Sequence, residues 1–246
     1  LEVVLLAHIT KTEFQDTQLE EETAPGAPDF HATNARRIFG GFLGWKTPGG
    51  LSITDVPLTE FKVDPWLKHL RDMVKSIWYG LMYGKGAQGF GETLKDPDGR
   101  RIGEARAEEL LSALFKSLPS LERYQRSIRD KVQKYGGVEA LDGRWCEVGH
   151  LSRNRKTFNM AYRRCLNFPM QAGGAAIAGR ATIGAVKAHK LVLQVHDELV
   201  VECPSELAAK EAESLRTIMI DAGGYYGLSV KLQVATGMGD NWYECK

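Results

Sequence analysis

The chain has 246 residues, of which 43% are hydrophobic and 26% are charged, and its formal net charge at neutral pH is +1. This composition indicates a globular protein of one large or two modest domains. No apolar run approaches the length of a membrane span, so neither a membrane partner nor a signal peptide is expected. The four cysteines are far apart and lack zinc-binding spacing, which indicates reduced thiols.

Charge is unevenly distributed along the chain. Between Gly143 and Lys190 nine cations accompany a single acid, whereas from Leu1 to Glu60 nine acids outnumber four cations. A concentrated basic segment is typical of a surface that binds a polyanion, although a solvated basic face gives the same pattern. The nine cations are Arg144, Arg153, Arg155, Lys156, Arg163, Arg164, Arg180, Lys187 and Lys190.

The first part of the chain predicts helices between turn-rich segments. Residues 1–9 are apolar and begin as a buried strand or the turn into a helix, with no polar lead-in, so we expect the natural protein to extend further upstream. Residues 11–28 are acidic and end in the run TAPGAPD, whose Pro and Gly residues predict a loop. Residues 30–42 predict a helix capped by Asp29, and residues 40–57 an irregular surface segment.

A long helix is predicted over residues 61–83, and four of its side chains recur at a spacing of four. Each step of four residues turns about 40° past a full circle, so the four line one slowly winding stripe. Two cations are followed by two aromatic rings, which indicates a site for an anion and then a flat group, as in a nucleotide. The alternative is a solvated helix face that ends in two packed tyrosines. The four residues are Arg71, Lys75, Tyr79 and Tyr83.

The second half of the chain predicts both helices and hairpins. Residues 102–134 predict two helices separated near residues 117–120, and residues 135–148 a short hairpin. A long helical segment follows, which we expect Pro169 to break, and its small residues indicate close packing against another element. The spacing also predicts a helix over residues 206–222 and a strand over residues 228–236.

A second functional pattern lies in residues 191–203, where two β-prone runs flank three polar residues. This predicts a hairpin with His196, Asp197 and Glu198 at its tip. Mg²⁺ prefers oxygen ligands and usually takes one or two carboxylates together with substrate phosphates. A two-metal site would need at least one further carboxylate. The alternative is a hairpin with a polar turn.

In combination, these segments resemble the C-terminal part of the polymerase domain of family A DNA polymerases, the group of bacterial DNA polymerase I and the T7-type phage replicases. The stripe from Arg71 to Gly84 resembles the motif B fingers helix, residues 193–202 resemble motif C, and residues 1–9 resemble the end of motif A. Further matches follow in family order: Asp29 and His31, Gly143 and Arg144, the Arg163, Asn167, Pro169 and Gln171 series, and residues 237–242.

The resemblance implies an α+β right-hand polymerase fold, with mostly helical fingers on an antiparallel palm sheet. It places the palm at residues 1–11 and 135–246 and the fingers at residues 12–134. The thumb, the exonuclease and the first palm strands have no match in the chain.

The resemblance also implies a role for each matching residue. Catalysis would involve Asp197, Glu198 and Lys75, with Asp197 as a ligand of two expected Mg²⁺ ions and Lys75 able to protonate the departing pyrophosphate. Nucleotide binding would involve Arg71, Lys75, Tyr79, Tyr83, Glu2 and His31, with Glu2 and Tyr83 together blocking a ribose 2′-OH. Primer–template DNA would lie along Arg144, Arg163, Asn167, Gln171 and His196.

Departures from the family pattern shape the expected function. The motif A aspartate would lie before Leu1, so we expect this chain alone to be inactive. The expected partners are primer–template DNA, dNTPs, and either an N-terminal polymerase part or a complementing chain. Tyr79 stands where many bacterial members have Phe, which implies acceptance of dideoxynucleotides. It favours a phage or organellar replicase, located in a host cytoplasm or an organelle matrix or nucleoid.

Two alternative functions remain at this point. The first is a single-subunit RNA polymerase, against which Glu2 argues, because a block to the 2′-OH has no use in an enzyme that takes ribonucleotides. The second is an inactive module, derived from a polymerase, that binds nucleic acid or a partner protein. Retention of Arg71, Lys75, Tyr83 and Asp197 argues against it.

Overall fold

The computed structural model describes residues 1–148 and 155–245, with the backbone alone at Arg155 and Lys156. Arg153 of the predicted basic segment therefore lies outside the described residues. The chain divides into two compact units. The first unit comprises residues 1–25, 138–147 and 168–246, and the second comprises residues 26–137 and 148–167.

The described elements follow in chain order. The helices before the first hairpin are α1 (Glu2–Phe14), α2 (Gln18–Thr23), α3 (Phe30–Ala35, continued by a π-helix at Arg36–Phe42), α4 (Glu60–Val63), α5 (Pro65–Met82), α6 (Ala87–Thr93), α7 (Gly103–Ser117) and α8 (Pro119–Tyr135). Next are β1 (Gly137–Glu139), β2 (Trp145–Glu147), α9 (Arg155–Ala188), β3 (Lys190–Val195), β4 (Glu198–Glu202) and α10 (Ala208–Tyr225). Short 3-10 turns lie at Ile53–Asp55 and Ser205–Leu207.

Helix α5 forms where local sequence signals agree. Asp64 caps it by accepting a hydrogen bond from the Leu67 N–H at 2.9 Å, and Pro65 occupies its first turn, where no N–H is needed. The buried side chains recur every three or four residues, as an amphipathic helix requires. They are Leu67, Leu70, Met73, Val74, Ile77, Trp78, Leu81 and Met82. Gly84 follows the helix with a φ of 70°, in the left-handed region that favours glycine. The predicted helix is confirmed.

Helices α6 and α7 meet at Gly91, where there is no space for a side chain. A Cβ added at Gly91 would lie 2.5 Å from the carbonyl carbon of Gly103 and 2.5 Å from the nitrogen of Glu104. Both are backbone atoms, so relief would require the two helices to separate.

We expect Gly91→Ala to lower the free energy of unfolding by about 3 kcal/mol, the upper range for overpacking a core. Gly89→Ala in the same helix is the matched control, because its Cβ would meet only the flexible Lys85 side chain, at 3.1 Å. Replacing a helical glycine by alanine contributes up to about 1 kcal/mol of helix propensity, so Gly89→Ala should be neutral or stabilising. Urea denaturation measures both, and equal stabilities would contradict this packing.

In the first unit, glycines of α9 pack against leucine and isoleucine side chains of neighbouring helices. Leu5, Leu6 and Ala7 of α1 are buried. A Cβ added at Gly173 of α9 would lie 3.2 Å from Leu5 Cδ2, and one added at Gly184 would lie 2.7 Å from Ile218 Cγ2 of α10. The small residues of α9 therefore bring these helices close together, as predicted.

The strands form two antiparallel pairs, β1 with β2 and β3 with β4. Val195 pairs with Glu198, so His196 and Asp197 form a two-residue turn. Both predicted hairpins are confirmed, and the small antiparallel sheets among many helices give the predicted α+β fold.

Pro169 does not break α9, which contradicts the sequence prediction. The helix is continuous from Arg155 to Ala188 with Pro169 inside it. Proline removes one helical hydrogen bond and strains the preceding turn. Here Leu166 and Met170 on either side are buried, and their packing offsets that cost.

One further sequence prediction is wrong. Residues 228–236 form no strand: the buried Val230 and Leu232 alternate with the exposed Lys231 and Gln233, but the segment has no ladder partner in the described part of the chain. The alternation thus reflects burial without pairing. The acidic residues before the predicted loop form α2, which buries Leu19 and begins where Asp16 accepts a hydrogen bond from the Gln18 N–H. Residues 24–29 then lie outside any helix, as predicted. Within the described ranges, no helix is long and apolar enough to cross a membrane.

Candidate functional site

The candidate residues are divided between the two units. The second unit holds His31, Arg71, Lys75, Tyr79, Tyr83, Arg163 and Asn167, and the first holds Glu2, Arg144, Gln171, His196, Asp197 and Glu198.

Arg71 is held by a carboxylate of its own unit. Its Nε donates to Asp29 Oδ1 at 3.1 Å and its Nη2 to Oδ2 at 3.0 Å. Its Nη1 lies 3.4 Å from Asp72, and Lys62 Nζ lies 3.4 Å from Asp29 Oδ2. Asp29 also caps α3 by accepting from the Ala32 N–H at 2.9 Å. One of the two predicted phosphate-binding cations is therefore fixed in orientation.

These contacts keep Asp29 ionised. Burial by itself raises the pKa of Asp29, but hydrogen bonds from Arg71 and the Ala32 N–H, with the charges of Arg71 and Lys62, lower it to about 2. The hydrogen bond to Asp29 likewise raises the pKa of Arg71. At neutral pH the pair is a full ion pair, and both side chains are largely removed from water.

His31 lies beside the stripe as a neutral imidazole. Its ring centroid is 6.5 Å from that of Tyr79. Burial lowers the pKa of His31 to about 4, with Asp29 opposing this shift and Arg71 and Lys75 adding to it. Its Nδ1 is buried and has no hydrogen-bond partner among the described residues. An unpaired buried ring nitrogen costs free energy that a bound ligand could recover.

The low pKa of His31 predicts loss of stability in acid. Between pH 6.5 and about 4 the unfolded chain binds a proton at this position while the folded chain does not. We therefore expect the free energy of unfolding to fall as pH decreases through this window. His31 should contribute about 2 kcal/mol of that fall at pH 4.5, after allowance for its partial exposure.

Urea denaturation at pH 7 and pH 4.5 tests this expectation, with His31→Phe as the variant that cannot titrate. The variant should lose less stability between the two pH values than the wild type. Asp29 acts in a lower window, since its stabilising charge is lost only as pH falls from 3.8 through about 2. Equal losses in both proteins would show that His31 already titrates normally.

The other stripe residues differ in their surroundings. Lys75 is exposed and makes no ion pair with a described residue. Tyr79 is half-buried beside the imidazole of His31. Tyr83 is 54% exposed at the C-terminal end of α5. The stripe thus presents one unengaged cation, one fixed cation and two aromatic rings, and it does not belong to the buried core.

Arg163 packs over Gly84, the glycine that follows α5. A Cβ added at Gly84 would lie 2.6 Å from Arg163 Cγ. Asn167 follows one turn later on α9, and its Oδ1 is buried without a hydrogen-bond partner in the described part of the chain. Together with Gln171, these side chains are spaced four residues apart and so lie on one helix face.

The hairpin tip presents two acids in different settings. His196 has a φ of 54°, a left-handed conformation that histidine adopts more readily than most residues. Asp197 is exposed, and Glu198 is half-buried and accepts a hydrogen bond from the indole Nε1 of Trp242. Trp242 therefore orients Glu198 and leaves Asp197 as the open carboxylate.

This arrangement fits one side of a divalent metal site. The Asp197 carboxylate makes no hydrogen bond or ion pair with a described residue, so its oxygens are available to a hard cation. Across residues 1–148 and 155–245, no three His, Cys, Asp or Glu side chains are grouped to hold a metal ion. The remaining ligands would have to come from substrate phosphates, water or other carboxylates.

The other candidates of the first unit are Glu2 and Arg144. Glu2 is half-buried at the start of α1. Arg144 donates to Asp142 at 2.5 Å and to the carbonyl oxygen of Ala172 in α9 at 2.7 Å. It therefore ties the first hairpin to α9 and has fewer donors left for a ligand. The predicted pairing of Glu2 with Tyr83 stays a prediction.

Comparison with known proteins places these features in a family. A family model described as DNA polymerase family A matches residues 52–244. The chain belongs to this family. The match includes α5 with its stripe, the β3–β4 hairpin and the C-terminal segment with Trp242, so most candidate residues lie inside a family A polymerase region.

Individual relatives agree with the family match. DNA polymerase I of Mycobacterium tuberculosis is 31% identical over 98% of this chain, and that of Deinococcus radiodurans is 29% identical over 100%. The chain covers 24% and 23% of their respective lengths. The polymerase domain of Pol1 from M. smegmatis, solved with DNA primer-template and dNTP, superimposes with a TM-score of 0.78. It is 27% identical, over 99% of this chain and 38% of that chain. The right-hand polymerase fold is thereby confirmed.

Two contacts of the candidate residues have no local signal in the sequence of this family A chain. The sequence predicts Asp29 as a helix cap and as part of a family match with His31, but not its contact with Arg71, which joins residues 42 positions apart. Trp242 was matched to a closing motif, and its contact with Glu198 joins residues 44 positions apart. Neither contact has a local signal, because both depend on how distant elements pack.

Proposed function

We propose that this chain supplies the palm and fingers of a DNA-templated DNA polymerase, which transfers a nucleotide from a dNTP to the 3′-OH of a primer. The observation that carries the proposal is the stripe of α5 in a family A chain, with Lys75 unengaged and Arg71 fixed. Its proposed substrates are primer–template DNA and dNTPs, which the M. smegmatis neighbour holds in its own structure.

In this proposal residues 12–134 act as the fingers and residues 1–11 and 135–246 as the palm. Arg71 and Lys75 bind the triphosphate, and Tyr79 and Tyr83 border the sugar and base. Glu2 helps to exclude a 2′-OH. Phosphoryl transfer depends mainly on positioning and on neutralising charge, so cations on the phosphates are what the reaction requires.

Family A polymerases generally use divalent metals, and we propose Mg²⁺ held by Asp197 with Glu198 nearby. When bound, the ions would make the primer 3′-hydroxyl more acidic and would neutralise the negative charge that develops on the phosphate oxygens. The primer 3′-hydroxyl gives its proton to water, and its oxygen forms a bond to the α-phosphorus while the bond to the leaving pyrophosphate breaks; Lys75 Nζ gives that pyrophosphate a proton. Arg163, Asn167, Gln171, Arg144 and His196 are proposed to lie along the primer–template.

Primer extension tests the proposed function. The protein expressed from its complete natural gene should extend a primer with the dNTP that the template specifies. Ribonucleotides should be incorporated far more slowly. Extension only with ribonucleotides would support an RNA polymerase instead. No extension, combined with retained DNA binding, would support an inactive module.

Tyr79 gives a separate prediction about nucleotide choice. We expect comparable incorporation of deoxy- and dideoxynucleotides by the wild type, and Tyr79→Phe should favour deoxynucleotides by about tenfold or more. Tyrosine has a hydroxyl that phenylalanine lacks. In a dideoxynucleotide complex this hydroxyl can make the polar contact that the absent 3′-OH would have made, and one such contact is worth about 1–2 kcal/mol. Single-nucleotide incorporation kinetics measure the ratio, and strong rejection of dideoxynucleotides by the wild type would refute the role of Tyr79.

A further inference from the structure

Asp29 both caps α3 and holds the Arg71 guanidinium, whereas an ordinary helix cap makes only the first of these contacts. Its Oδ1 accepts both the Ala32 N–H and the Arg71 Nε, while its Oδ2 accepts from Arg71 Nη2. The guanidinium is thus held by two parallel hydrogen bonds, the geometry that fixes its plane as well as its position. The carboxylate is only 17% exposed and the Arg71 side chain 20%.

The same residue fixes the helix that carries His31. Capping by Asp29 orders the first turn of α3, in which His31 is the second residue. One carboxylate therefore links a guanidinium of α5 with an imidazole of α3. His31 presents a buried nitrogen that no described residue satisfies.

We propose that Asp29 is a positioning residue for nucleotide binding, holding the Arg71 guanidinium and the helix of His31 in the places from which both meet the triphosphate. The inference rests on the proposed function. Arg71 has five N–H donors: two face Asp29 and one lies toward Asp72, so two are left for an anion.

The charges of the surrounding groups agree with this role. Asp29 compensates much of the charge of Arg71, so Arg71 acts mainly as an oriented donor while the unengaged Lys75 supplies attraction. Lys62, which is 60% exposed and 3.4 Å from Asp29, partly balances the carboxylate. If Asp29 only neutralised Arg71, its removal would strengthen phosphate binding. If Asp29 positions Arg71, its removal must weaken binding.

The test compares Asp29→Asn with Asp64→Asn. Asparagine is as good a helix cap as aspartate, so both variants keep their caps. Asp64 caps α5 and has no guanidinium partner among the described residues. Each variant is made in the protein expressed from its complete natural gene. Single-turnover incorporation on a primer–template then gives the dNTP dissociation constant and the maximal rate. Asp29→Asn should raise that constant about tenfold, as expected for loss of a charged hydrogen bond, whereas Asp64→Asn should leave it unchanged.

A double-mutant cycle shows whether Asp29 acts through Arg71. In an Arg71→Ala background, Asp29→Asn should weaken dNTP binding less than it does in the wild type, since the shared interaction is already lost. Tighter dNTP binding by Asp29→Asn, or an unchanged constant with lower thermal stability, would overturn the inference. A wild type that binds no dNTP would instead refute the proposed function.

Discussion

In the proposed polymerase, expressed from its complete natural gene, we expect Asp197→Ala to lower the rate of primer extension by about 10³-fold or more, because it removes the open carboxylate at the tip of the β3–β4 hairpin. Metal coordination stabilises the transition state of phosphoryl transfer by several kcal/mol, and each 1.4 kcal/mol is tenfold in rate. The side chain is exposed, so its removal leaves the hairpin packing intact. We therefore expect the thermal stability of the variant to match that of the wild type.

Asp221→Ala is the matched control for this experiment. Asp221 is also an exposed acid of the first unit, and it lies on α10 without an ion pair to any described residue. The control should extend primers at the wild-type rate across a Mg²⁺ titration. Asp197→Asn distinguishes charge from shape, because it keeps the side-chain volume and weakens coordination. Full activity in either Asp197 variant would exclude this carboxylate from the metal site.

The sequence was sufficient to predict elements whose local signals agree. Helix α5 has a capping Asp64, a Pro65 in its first turn and apolar residues at helical spacing, and its prediction is confirmed. The β3–β4 hairpin has β-prone runs on both sides of a polar turn. In such segments propensity, pattern and turn chemistry favour the same structure, so tertiary packing had nothing to override.

Predictions failed where packing or missing partners decided the outcome. Pro169 predicts a helix break, yet buried neighbours carry α9 through it. Residues 228–236 alternate as a strand does, but alternation shows only that one face is buried and cannot show whether a pairing strand exists. Local pattern is therefore reliable for burial and less so for hydrogen bonding between distant segments.

In the candidate site too, helical spacing was predictable from the sequence and contacts between distant residues were not. Spacing alone placed Arg71 and Lys75 on one helix stripe. It could not show that Arg71 is bound by Asp29 while Lys75 is unengaged, because that difference depends on the approach of α3 to α5. The two cations that the sequence presents as equivalent are therefore chemically distinct, and mutations should separate them.

Lys75→Ala should lower kcat/KM for the incoming dNTP by about 10²–10³-fold, comparable to the loss of one preorganised electrostatic contact in an active site. Lys75 is the stripe cation that no described carboxylate neutralises, so its whole charge is available to phosphates. Lys68→Ala is the matched control, since Lys68 is an exposed lysine on the same helix, without an ion pair in the described part of the chain. It should leave both kinetic constants unchanged.

Lys75→Arg then separates binding from proton transfer. Arginine keeps the positive charge, so the dNTP dissociation constant should stay within about threefold of the wild-type value. Its guanidinium does not give up a proton in proteins, so it cannot protonate pyrophosphate. If Lys75 is the acid, Lys75→Arg should retain binding and lose most of the maximal rate. A variant that retains both would show that Lys75 contributes charge alone, and one that loses only binding would show that the lysine geometry serves phosphate recognition.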